Sequence, residues 1–137
     1  MRFVAVGDSF TEGLNDALRG DGRQGGWADR VAELLVTRQH IEELSYANLA
    51  IRGRLTRQIM EEQVPQAQAL KPDLVTVGAG VNDALRRSFS LDTLCTDLEN
   101  SVRELTAGGS HVLLFAYGDP SRGSKAFGRV ADRTPLK

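Results

Sequence analysis

The stretch Phe3-Val4-Ala5-Val6-Gly7-Asp8-Ser9-Phe10-Thr11-Glu12-Gly13 decides how this chain folds. Four apolar residues followed by glycine read as a short buried strand that ends in a turn. Such a turn carries the next hydroxyl, Ser9, to the carboxyl end of a sheet, where open α/β folds bind their ligands. The arrangement recurs twice. Asn48-Leu49-Ala50-Ile51-Arg52-Gly53 follows a second strand-like run, and Gly80-Val81-Asn82-Asp83 follows a third. One serine and two hydrogen-bond donor positions therefore arrive from three successive strand ends.

Outward from these segments, strands and helices alternate, the pattern of a parallel sheet with helices on both faces. Periodicity predicts strands over about residues 2–6, 43–49, 74–77 and 111–117, and helices over about 26–39, 55–70 and 90–107. Trp27, Val31, Leu34 and Leu35 share a face of the first helix. Leu55, Ile59, Ala67 and Leu70 share a face of the second, where Pro65 removes an internal amide bond and should kink or divide it. The third helix has Leu91, Leu94, Cys95, Leu98, Val102 and Leu105 at helical spacing. Ser90 or Asp92 can cap it and Gly108-Gly109 ends it. Cys95, on that face, is expected to be a buried structural thiol. From Asp119 to Lys137 the pattern dissolves into Gly-, Arg- and Ser-rich sequence, with one helical turn expected near 127–130. No repeat or linker divides the chain, so residues 1–137 read as a single domain.

The composition narrows the class. A chain of 137 residues with 41% hydrophobic and 26% charged content can bury a real core. No run approaches the ~20 apolar residues that a bilayer span needs. The N-terminal apolar stretch is too short for a signal-peptide core, which points to the cytoplasm. A net charge of −1 and a pI near 6.1 give no electrostatic reason to expect nucleic acid or an anionic membrane as partner. The local exceptions, Arg52, Arg54, Arg57 and the pair Arg86-Arg87, read as solvated helix starts. With one cysteine, no intrachain disulfide can form.

Taken together, the three blocks resemble the GDSL/SGNH hydrolase family. Gly7-Asp8-Ser9-Phe10 matches its first block, with Phe where the family name has Leu; Gly53 matches the second, and Gly80-x-Asn82-Asp83 the third. Trp27-Ala28-Asp29-Arg30, after a Gly-rich loop, is similar to an esterase-like branch of that family. The resemblance runs from residue 2 to about residue 130. It implies a flavodoxin-like three-layer α/β/α fold around a parallel sheet ordered 2-1-3-4. The fifth strand of the family's sheet and its Asp-x-x-His block have no counterpart in these residues. The domain is accordingly expected to be C-terminally incomplete, as a fragment in preference to a degenerate relative.

That resemblance implies a serine ester hydrolase that works through an acyl-serine intermediate on a small-molecule ester, with no metal and no organic cofactor. Without the Asp-x-x-His block, these 137 residues alone are expected to show little or no activity. Ser9 is the expected nucleophile, although serine is also a favoured helix N-cap. The Ser9 amide, the Gly53 amide and the Asn82 side chain are the expected oxyanion donors. Glycine suits the second position because only its amide is wanted; asparagine suits the third because it donates without charge. Taken singly, Gly53 and Asn82 read as a loop glycine and an Asx-turn. Asp8 and Asp83 are expected to support these loops by accepting backbone amides.

Neither histidine fits as general base. His40 follows the first helix and His111 opens the fourth strand, both at the sheet end opposite Ser9. The alternatives are a non-catalytic binding module on the same fold and, further off, a flavodoxin-like FMN binder, which Glu12 in the Ser9 loop disfavours by repelling phosphate. Strand four, apolar and left at the sheet edge, is expected to self-associate or to pair with a C-terminal segment.

Overall fold

A computed structural model describes residues 1–14, 16, 17, 20 and 25–117. The chain runs β1 (Arg2–Gly7), α1 (Ser9–Glu12), α2 (Trp27–Gln39), β2 (Ser45–Asn48) and α3 (Thr56–Gln58). A π-helical turn (Ile59–Gln63) then leads to α4 (Val64–Ala69), β3 (Leu74–Gly78), α5 (Val81–Ala84), α6 (Leu91–Ala107) and β4 (His111–Leu114). The four strands form one parallel sheet in the order β2-β1-β3-β4. The expected order and α/β class are those found. The expected turn near 127–130 lies outside the described residues.

Alternation along β1 builds two cores. Val4 and Val6 face one side of the sheet, where they meet Val75, Val77, Ile59, Val64, Ala67 and Leu105. Phe3 and Ala5 face the other, against Ala28 and Ala32 of α2. Phe3 to Val6 are at most 2% exposed, so β1 is the centre of the molecule. Phe3, Val4 and Val6 each contribute roughly 1.5–3 kcal/mol by leaving water. Helix α2 begins where the Asp29 carboxylate accepts the Gly26 N–H at 2.9 Å. It ends at His40, whose φ of 54° is left-handed and stops the helix.

The predicted second helix is divided, as Pro65 requires. It comprises one turn of α3, the π-helical turn and α4, with the Val64 N–H bonding to the Ile59 carbonyl. Helix α6 covers the predicted span, with the Ser90 hydroxyl accepting the Thr93 N–H at 3.3 Å. Its buried line, however, is Asp97, Ser101 and Leu105. Cys95 lies about 200° around the helix from Asp97, and is exposed instead of buried as expected.

Candidate active site

Ser9 is the first residue of α1, and Asp8 takes the cap position that serine itself was a candidate for. The Asp8 carboxylate accepts the Phe10 N–H at 3.1 Å, and its backbone carbonyl accepts the N–H groups of Thr11 and Glu12 at 3.1 and 2.9 Å. Three amides of this turn are thus committed to Asp8, and the Ser9 amide is not one of them. The turn is tight because Gly7 permits it. A β-carbon on Gly7 would sit 2.6 Å from the Gly78 carbonyl oxygen and 2.7 Å from Thr11 Oγ1.

The loop after β2 is fastened to the same place. The Ile51 N–H donates to the Gly7 carbonyl at 3.1 Å. The Arg52 N–H and guanidinium both donate to Glu12, at 2.9 Å and 3.0 Å. Asn48 closes the near side, donating from Nδ2 to the Thr11 carbonyl at 2.8 Å. Gly53 follows with φ 76° and no atom within 4 Å of the place a β-carbon would occupy. Its outer side is open.

The third block reaches both of the others. Asn82 Nδ2 donates to the Arg54 carbonyl at 3.0 Å and lies 3.5 Å from Asp8 Oδ2. Asp83 Oδ2 accepts the Thr56 N–H at 3.0 Å and the Thr56 hydroxyl at 2.9 Å. Asn82 and Asp83 therefore tie the residue before Ser9 and the residues after Gly53 into one network.

A family model for GDSL-like lipases/acylhydrolases matches residues 5–135 of this sequence. The chain belongs to the GDSL-like lipase/acylhydrolase family. Solved structures agree on the fold. The crystal structure of TesA superposes with a TM-score of 0.74 at 24% identity, covering 97% of this chain and 69% of that one. An acetyl xylan esterase variant from Geobacillus stearothermophilus superposes with a TM-score of 0.71 at 23% identity, covering 96% and 70%. An alpha/beta hydrolase enzyme from the metagenome of Lake Arreo, Spain, gives 0.73 at 19% identity, covering 96% and 68%. A search of curated proteins finds no match. Family membership places this chain among hydrolases, in a family of lipases and acylhydrolases.

Electrostatics in this GDSL-like site centre on Asp8, which is 2% exposed. Burial raises its pKa above the usual carboxylate value, the Phe10 amide bond opposes this, and the nearby Asp83 charge raises it further. Tyr117 is pushed up to about 12, mainly by burial and partly by the Asp8 charge. The arginines of the Gly53 segment are paired and not merely solvated: Arg52 with Glu12, Arg54 with Glu62 and Arg57 with Asp97. Beside the Ser9 turn, Phe10 packs on Trp27, Phe115 and Tyr117 with ring centroids 6.1, 4.9 and 5.6 Å away.

Both histidines lie at the other end. His111 pairs with Leu74 at the amino end of the sheet, whereas Gly7 pairs with Gly78 at the carboxyl end. Four residues of strand separate those levels, about 13 Å at 3.3 Å per residue. His40 lies five residues ahead of β2, on the same amino side. Among the described residues there is no group of three or more His, Cys, Asp or Glu arranged to hold a metal. No described helix is long and apolar enough to cross a membrane.

Sequence reasoning missed Gln63, Thr56 and Asn48. Asn48 and Thr56 carried no distinctive signal. Gln63 did: it continues the buried spacing of Ile59 and Ala67 with a polar residue.

Proposed function

We propose that the chain is a serine ester hydrolase in which Ser9 is acylated and the Ser9 amide, the Gly53 amide and Asn82 Nδ2 receive the oxyanion. Ser9 Oγ attacks the ester carbonyl carbon, and the carbonyl oxygen takes the negative charge. Collapse of that intermediate expels the alcohol with a proton and leaves an acyl-serine, which water then hydrolyses. The observation that carries this reading is the position of Asn82. One hydrogen of its amide is held by the Arg54 carbonyl at 3.0 Å, while the 3.5 Å approach to Asp8 is too long to occupy the second strongly. That second hydrogen, engaged only by this long contact, can turn to an oxyanion beside Ser9. The Ser9 amide, not committed to Asp8, and the open side of Gly53 fit the same use. Donors fixed in advance stabilise the developing charge without reorganising.

Asp8 and Asp83 act as supports, the first by capping the Ser9 turn and the second by holding Thr56. Neither histidine serves as general base, since a base must come within ~3 Å of the hydroxyl it deprotonates. The distance that separates them from Ser9 also favours the second reading, a binding module that turns nothing over. Hydrolysis of p-nitrophenyl acetate by the wild-type chain and by Ser9→Ala tests the two. Ser9-dependent release of p-nitrophenol supports the hydrolase. Identical rates in both proteins, with ester analogues still bound, support the binding module.

A further inference from the structure

We propose that Gln63 is the positioning residue that locks the Ser9 turn to the Gly53 loop, acting through the Gly7 peptide. This rests on the reading of Ser9 as nucleophile and Gly53 as oxyanion donor. The Gly7 N–H donates to Gln63 Oε1 at 2.8 Å, and Gln63 Nε2 donates back to the Gly7 carbonyl at 2.9 Å. The same carbonyl accepts the Ile51 N–H at 3.1 Å. Gly7 stands two residues before Ser9, and Ile51 two residues before Gly53. One carbonyl oxygen therefore joins the two loops, and Gln63 fills its remaining lone pair while holding the amide of the same residue.

The π-helical turn explains how a glutamine arrives there. With Val64 N–H bonded to the Ile59 carbonyl five residues back, the turn is widened. Ile59, Gln63, Val64 and Ala67 all face inward, at most 2% exposed. Pro65 favours the break, having no N–H to continue the α-helical ladder. A buried amide is tolerated when both its polar atoms are bonded, and here both partners are on a single residue. An apolar residue of equal size would fill the space but leave the Gly7 N–H without this acceptor.

Two variants and two readouts test the proposal. Gln63→Met removes both bonds at similar length. In Gln63→Glu the protonated acid can accept from and donate to Gly7 as the amide does, whereas the carboxylate cannot donate. Burial lifts that acid above its usual pKa of about 4.3. Native-state amide exchange in Gln63→Met should show Gly7 and Ile51 losing protection about tenfold more than Val75 and Val77 of β3. Gln63→Glu should keep wild-type protection at acid pH and lose it as the pH rises through the raised pKa of the buried acid. A residue that only fills the core would move all four amides together and show no such pH dependence; that result overturns the clamp.

The second readout is the rate at which a fluorophosphonate labels Ser9. It should fall at least about tenfold in Gln63→Met, through the limiting rate and not through half-saturation, and recover in Gln63→Glu at acid pH. An unchanged rate alongside lost Gly7 protection overturns the positioning role. Absence of Ser9 labelling in the wild type instead refutes the nucleophile reading, and amide exchange alone then decides the clamp.

Discussion

The side-chain amide of Asn82 donates to the Arg54 carbonyl at 3.0 Å, so the loop after β3 is fixed to the loop after β2 beside Ser9. An oxyanion donor must be held before the charge develops, and this bond holds it. Asn82→Ala should lower Ser9-dependent ester cleavage by roughly 10²–10³. Asn82→Asp should do no better, because a carboxylate accepts where a donor is needed. The check is kcat/KM for p-nitrophenyl acetate after subtraction of the Ser9→Ala rate.

Asp83 holds the other side of that loop through Thr56, which is 1% exposed. Asp83→Ala leaves a buried N–H and a buried hydroxyl without their acceptor. The expected loss of stability is about 1–3 kcal/mol, read from urea unfolding. Asp83→Asn, which keeps one acceptor oxygen, should lose less.

Asp8 sets a pH dependence whose sign follows from its burial. Its folded pKa is raised above 3.8 by desolvation and by Asp83. The contribution of the protonated form is therefore complete below 3.8 and disappears as pH rises through the folded value. Asp8→Asn keeps an oxygen to cap Phe10 and removes the charge. It should be at least as stable as wild type at pH 7, with the difference closing toward pH 3. Urea midpoints across that range check this; a variant that gains on wild type as the pH falls contradicts it.

Strand β4 is an edge of the sheet and carries exposed apolar side chains: Leu113 and Leu114 are 57% and 51% exposed, and Phe115 just after it is 41% exposed. An edge strand without charge or proline is a template for another chain. The 137-residue chain should self-associate in solution, and Leu114→Lys should reduce this. Sedimentation velocity reads both. A monodisperse wild-type monomer of about 15 kDa would contradict the expectation.

Much of this was legible in residues 3–13 because strand one is buried on both faces and has to be apolar throughout. That the sheet is parallel followed from strands alternating with helices, and its order 2-1-3-4 from the family resemblance. What escaped was whatever depends on the exact rotation of a helix. Cys95 shares a helical stripe with Leu94 and Leu98, but α6 turns Asp97 and Ser101 inward, and an ion pair from Arg57 accompanies the buried carboxylate. Gln63 escaped although it keeps the helical spacing of Ile59 and Ala67, because a polar residue there does not read as core. What a 3.6-residue period cannot anticipate is the π-helical turn, which buries the adjacent Val64 as well. The three strand-end blocks were legible as residue types; the bonds joining them, Asn82 to Arg54 and Ile51 to Gly7, run between segments that sequence spacing does not relate.

The most direct test of the central claim is mass-spectrometric mapping of the chain after incubation with a fluorophosphonate. This reagent traps a serine nucleophile without requiring the second, hydrolytic step. The account predicts slow labelling, because no histidine stands beside Ser9, with the adduct on the peptide containing Ser9. Labelling should vanish in Ser9→Ala and slow sharply in Asn82→Ala. An adduct elsewhere, or equal labelling of wild type and Ser9→Ala, would contradict it.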